Sequence, residues 1–174
     1  MLLKRSSGHA GDKVWESPSP GVYSGICIDV IDKGWVQTEY QGETKSQHKV
    51  RLVWEIDCKT SEGENMVAGR TVTFSMGKNA KLRELLASWR GRDFTAQELG
   101  EGFDLERIVG APAQIVVNEF KTKEGEQRSF VDNVLKADSE KEMVASEGYT
   151  RMKDREDWIE PGTEEAVDDT EVPF

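Results

Sequence analysis

The sequence predicts an all-β to α+β fold: a five-stranded barrel with a helical insert between strands 3 and 4, then an acidic C-terminal tail with no fold of its own. Three observations predict it. Apolar residues alternate with a period of two in three stretches, the rhythm then switches to threes and fours, and two further strand-like stretches follow, the first rich in β-branched residues. Acidic residues then crowd into the last part of the chain.

Residues 1–20 mix Ser, Gly, Pro and scattered charge, with Trp15 the only large apolar side chain after Leu3, so a flexible arm is expected up to Pro18 and Pro20. A first strand follows at 21–32, where Val22, Ile26, Ile28 and Val30 fall on one face and Ser24 and Gly25 mark a bend. The clearest strand is 49–58: Val50, Leu52, Trp54, Ile56 and Cys58 alternate with Lys49, Arg51, Val53, Glu55 and Asp57. A third strand is expected at 70–76, opened by Arg70, with Val72, Phe74 and Met76 turned inward. Trp54, Phe74 and Trp89 all lie in the apolar register of their elements and are assigned to the core.

After Gly77 the spacing of Leu82, Leu85, Leu86 and Trp89 marks one stripe of an amphipathic helix that stops at Gly91. Thr95 and Glu98 have the spacing of a capping box, and Asp104 is placed to cap a short helix carrying Leu105, Ile108 and Val109 before Gly110. Strands at 113–120 and 129–135 close the domain, joined by a turn around Glu124 and Gly125. Three strands, a helical insert and two strands is the order of an OB-fold. Another small barrel or an open α+β sheet has the same order. The folded domain is thus bounded at 21–136 and the tail at 137–174.

The net charge of −10 divides unevenly. From residue 137 onward there are 13 acidic and 4 basic residues, which leaves 20 and 19 in the rest of the chain. The domain itself is nearly neutral, so the acidity of the whole does not exclude a polyanionic partner. Cys27 and Cys58 lack partners at metal-ligand spacing and read as reduced thiols inside strands. No stretch is apolar enough for a signal peptide or a membrane span, which implies no membrane partner and a cytoplasmic protein. His9 and His48 lie in the arm and a loop, far from any nucleophile motif, and no phosphate-binding glycine loop is present. The expectation is a non-enzymatic protein without cofactor or metal.

The connection at 33–49 interleaves Trp35 and Tyr40 with Lys33, Lys45, His48 and Lys49. Rings on which bases stack, set among cations that neutralise phosphates, are what sequence-tolerant single-strand binding requires. The turn between the last two strands repeats the pattern, with Lys121, Lys123 and Arg128 beside Phe120 and Phe130. Arg51 and Arg70 extend the set across strands 2 and 3. In an OB-fold the connections between strands 1 and 2 and between strands 4 and 5 flank the binding face.

The chain ends Asp168-Asp169-Thr170-Glu171-Val172-Pro173-Phe174. A terminal Phe beside Pro and preceded by acids suits a partner pocket that is apolar at its base and basic at its rim. This ending resembles the acidic tip of bacterial and phage single-stranded DNA-binding proteins. The stretch 81–95 with Gly102-Phe-Asp-Leu105 is similar to the phage-encoded type. The resemblance implies an OB-fold that binds and protects single-stranded DNA in replication, recombination or repair, in the cytoplasm of a bacterial host. It also implies a tip that docks onto the enzymes of those processes. Phe174 would be the anchor, Val172 and Pro173 its apolar neighbours, and Asp168, Asp169 and Glu171 its electrostatic partners. Thr170 interrupts the usual acidic run, and the core lacks the bacterial family's usual sequence, so tetramer formation is not implied and self-association stays open. The competing reading is an interaction protein that never touches DNA, either a DNA mimic or an adaptor occupying tip-binding pockets. A mimic needs its carboxylates fixed on a folded surface.

Overall fold

Alternation of Val50, Leu52, Trp54 and Ile56 demands a strand with one buried face, and all four are buried in β2 (Glu43–Lys59). The structure, a computed structural model, describes residues 16–161. The expectations for Trp15, His9, most of the N-terminal arm and the C-terminal tip therefore lie outside the described residues. β2 pairs antiparallel with β1 (Gly21–Tyr40) on one side and β3 (Asn65–Thr73) on the other. β4 (Pro112–Lys121) pairs with the first residues of β1 and with β5 (Gln127–Leu135). The five strands form one antiparallel sheet in the order β3-β2-β1-β4-β5.

The insert lies between β3 and β4, as the change of period predicts. α1 (Lys81–Arg90) buries Leu82, Leu85, Leu86 and Trp89, with the Trp89 ring 5.9 Å from that of Trp54. It ends at Gly91, whose φ of 80° is the left-handed turn that glycine accepts without steric cost. α2 (Ala96–Glu101) carries the full capping box: Glu98 N–H donates to Thr95 Oγ1 at 3.2 Å and Thr95 N–H to Glu98 Oε2 at 3.0 Å. Asp104 then caps the 3₁₀ turn Leu105–Ile108 by accepting from Glu106 N–H at 3.1 Å.

Several expectations are corrected. The sheet is not closed: β3 and β5 are its two edges, lying near each other without a ladder, and Arg70 Nη1 bridges them by donating to the Val131 carbonyl at 2.9 Å. The hairpin-like connection expected at 33–49 is strand almost throughout. β1 and β2 continue as a two-stranded ribbon to the turn at Gln41 and Gly42, so Trp35 sits opposite His48 in the ladder. β3 starts at Asn65, and Arg70 lies in its interior rather than opening it. The strand ends at Thr73 because Ser75 N–H turns back to the Thr73 carbonyl, which throws Phe74 out of the core to 48 % exposure. In β1 a bulge between Cys27 and Asp29 breaks the single apolar face. Val22 is exposed and Val30 packs on the main core, while Ile26 and Ile28 join Ile31 and Val53 in a second cluster.

That second cluster explains the last correction. The tail expected to be free from residue 137 instead packs Met143, Met152 and Trp158 over Ile26, Ile28, Ile31 and Val53. This strap is fastened to two buried carboxylates. Asp29, fully inaccessible, accepts from Tyr149 Oη at 2.8 Å, Met152 N–H at 2.8 Å and Arg151 Nε at 3.1 Å. Glu55 accepts from Ser146 through both its N–H and its hydroxyl, and from Asn65. Arg151 reaches on to Glu106 at 2.6 Å and so ties the strap to the helical insert as well.

Burial by itself pushes Asp29 up, but the bonds from Met152, Tyr149 and Arg151 outweigh it and hold the carboxyl below the ordinary aspartate value. Glu55 is likewise raised by burial and lowered further by Ser146 and Asn65. Burial, and then the bond to Asp29, push the Tyr149 phenol from 10.0 up to about 12. Depressed carboxyls bind protons less readily in the strapped state than when released. Their contribution is complete above the ordinary carboxylate values and is lost as pH falls through the lower folded ones. The contribution of Tyr149 is complete below 10.0 and is lost as pH rises toward about 12. The strap's hold should therefore weaken at both extremes, and the stability of the sheet it supports should fall with it. The urea midpoint of the full chain should drop below about pH 4, where carboxylates take up protons, and Arg151→Ala should blunt that drop. An equal drop in the variant would contradict this.

Candidate nucleic-acid interface

Because β3 and β5 approach without pairing, side chains from their edges face each other across a seam. An open groove of about 490 Å³ runs there, walled by Arg51, Arg70, Arg128, Phe120 and Phe130. β2 supplies Arg51 and β3 supplies Arg70, while the β4–β5 hairpin supplies the rings, with Phe120 opposite Arg128 in its ladder. The two rings meet edge-on with centroids 5.6 Å apart, and Phe120 remains 47 % exposed. The Arg70 guanidinium stands 5.5 Å from the Phe130 centroid while it holds Val131. Arg51 Nη1 donates to Thr71 Oγ1 at 3.3 Å, and Arg128 pairs weakly with Glu126 at 3.4 Å in an exposed setting. Among the described residues lining the groove there are three guanidinium groups and no carboxylate. Planar cations beside open ring faces can take up phosphates and stack bases.

A second aromatic row crosses the base of the ribbon. Trp35 stacks on His48 at 5.5 Å, and His48 meets Phe74 at 5.1 Å, so β1, β2 and the residue just past β3 each contribute one ring. Phe74 is held there by its N–H, which donates to the His48 carbonyl at 2.7 Å. His48 Nε2 lies 2.6 Å from Asp32 Oδ1, which orients the ring edge-first toward that carboxylate. Trp35 at 44 % exposure and Phe74 at 48 % leave both ends of the row open.

Of the residues expected to bind, the structure brings Arg51, Arg70, Arg128, Phe120 and Phe130 into one groove, and Trp35 and His48 into one row. Lys49 is not a free surface cation: its Nζ donates to Thr73 Oγ1 at 2.8 Å, and burial lowers its pKa. Lys33, Lys45, Lys121 and Lys123 are exposed outside both aromatic clusters. Tyr40 ends β1 at the tip of the ribbon. Sequence reasoning missed Phe74, whose period-two register pointed inward. The signal against that register was Ser75 and Gly77, turn residues that end the strand just before it. Gly69 and Thr71, on the floor of the groove, were missed as well.

The surface that the strap covers has the other polarity. Asp29, Glu55 and Glu106 are its acceptors, and the strap covers them with hydrogen-bond donors. Among the described residues no helix is long and apolar enough to cross a membrane. In comparison with known proteins, the chain matches no protein-family model and no curated protein.

Proposed function

We propose that this chain binds single-stranded DNA with little regard for sequence, on an OB-type sheet left open at a seam whose groove holds the strand, in replication, recombination or repair in a bacterial cytoplasm. The observation that carries the reading is the groove itself, where three arginines and two phenylalanine rings from four strands converge, with no acid among the described residues that line it. Such a site contacts backbone phosphate and the faces that all bases share, which gives affinity without readout of sequence. The test is a titration with oligo-dT, single-stranded RNA and duplex DNA at two salt concentrations, following tryptophan fluorescence. Oligo-dT should bind most tightly, with affinity falling steeply as salt rises. Equal binding of duplex, or none of any, would refute the reading.

One observation favours the rival interaction protein. Eight acidic residues of 137–161 belong to the segment that packs on the sheet, so some of the tail's charge is fixed as a DNA mimic would need. The same titration separates the two, since a mimic leaves oligo-dT unbound.

The second half of the proposal concerns Asp168, Asp169, Glu171, Val172, Pro173 and Phe174, which would recruit replication, recombination or repair proteins. Deleting Phe174 removes the apolar anchor and shifts the terminal carboxylate onto Pro173. DNA affinity should hold while capture of purified tip-binding replication proteins collapses. Equal capture by the deletion would leave the tail without a recruiting role.

A further inference from the structure

Gly69 lies inside β3 with ordinary extended backbone, so no left-handed turn asks for glycine there. Glycine in a strand interior weakens the strand and marks a place where something approaches closely. Here the approaching group is Arg51. A Cβ on residue 69 would stand 2.7 Å from Arg51 Nη2 and 2.9 Å from Arg51 Cζ, with the Leu52 carbonyl oxygen at 3.0 Å. Arg51 therefore reaches across from β2 and lays its guanidinium against the bare backbone of β3. Thr71 Oγ1 holds one edge of it, accepting from Nη1 at 3.3 Å.

We infer that Gly69 is a positioning residue: its missing side chain seats the Arg51 guanidinium on the groove floor, ready to take a phosphodiester oxygen of the bound strand. The inference rests on the functional reading given above. An arginine held in place before binding loses less rotamer freedom when a phosphate arrives, and its planar fork can present two donors to one phosphate. The space is also specific to the arginine. The two nearest atoms are the far end of a flexible side chain, so a methyl group at 69 lifts the guanidinium and leaves β3 in place, with a shift of a few tenths of an ångström from Leu52.

The experiment compares wild type, Gly69→Ala, Arg51→Ala and the double variant in oligo-dT binding at several salt concentrations. The NMR resonance of the Arg51 guanidinium is recorded in the two proteins that retain it. Gly69→Ala should weaken binding about two- to tenfold, the range expected for un-seating one flexible side chain. It should also lower the salt slope by about one released counterion. In the Arg51→Ala background the same substitution should change nothing, and the guanidinium resonance should move with Gly69→Ala even without DNA. An equal loss in both backgrounds, or a displaced resonance with unchanged affinity, overturns the positioning role while leaving the functional reading standing. A wild-type protein that binds no oligo-dT overturns the functional reading, and this inference with it.

Discussion

A chain cut after residue 136 should lose most of its folding stability, whereas a chain cut after residue 161 should keep it. The shorter cut ends the protein where the strands end, and by composition the rest is acidic coil. Yet it strips Tyr149, Arg151 and the Met152 N–H from Asp29, which is fully inaccessible in the sheet. Removing one partner from a buried ion pair costs roughly 3–5 kcal/mol, because the other charge stays buried and unpaired. The cut also takes the half-buried Met143, Met152 and Trp158 off Ile26, Ile28, Ile31 and Val53, a further loss of part of the about 1.5–3 kcal/mol that full burial of such a side chain contributes. Against a total of about 5–15 kcal/mol for a typical domain, these losses are decisive. Urea unfolding of the two truncations measures the difference. Equal midpoints would mean that the strap rests on the sheet without supporting it. Arg151→Ala in the full chain should reproduce a large part of the loss.

The double substitution Phe120→Ala and Phe130→Ala should have the largest effect on DNA binding. Loss of one base-stacking ring costs about 1–3 kcal/mol, so loss of both should weaken oligo-dT binding at least about 30-fold. The rings lie near the turn of the β4–β5 hairpin, and Phe120 is half exposed, so the sheet should survive. A thermal melt close to wild type confirms that. Trp35→Ala with Phe74→Ala should weaken binding less, because His48 lies between those rings and covers part of their faces. If the ribbon pair costs more than the hairpin pair, the strand runs over the ribbon and the seam groove is secondary.

Where one rule decided an element, the sequence made it legible. β2 needed only the alternation around Trp54, α1 only the stripe from Leu82 to Trp89, and α2 only the Thr95–Glu98 box. Two-way decisions were not legible. The bulge at Cys27 to Asp29 moves Ile26 and Ile28 to the face opposite the main core, and a period of two cannot show a slipped residue. The strap was hidden because residues 137–161 are polar overall. Its fastening depends on single donors, Tyr149 and Arg151, meeting single acceptors about 120 residues away, Asp29 above all. The candidate site was half legible. Cations and rings at the β4–β5 turn marked Phe120, Arg128 and Phe130, but their meeting with Arg51 and Arg70 follows from the open seam, which no local pattern encodes. Phe74 was misplaced because a strand end moved by three residues carried its last ring from inside to outside.

The most direct test of the seam groove as the binding site is photo-crosslinking of oligo-dT carrying 5-iododeoxyuridine at scattered positions, with the attachment points mapped by mass spectrometry. Aromatic side chains in stacking contact with such a base capture it efficiently. Crosslinks should fall on Phe120 and Phe130, with a minor set on Trp35 and Phe74, and should fade as salt is raised. Crosslinks concentrated on Tyr149 and Trp158 of the strap would contradict the account.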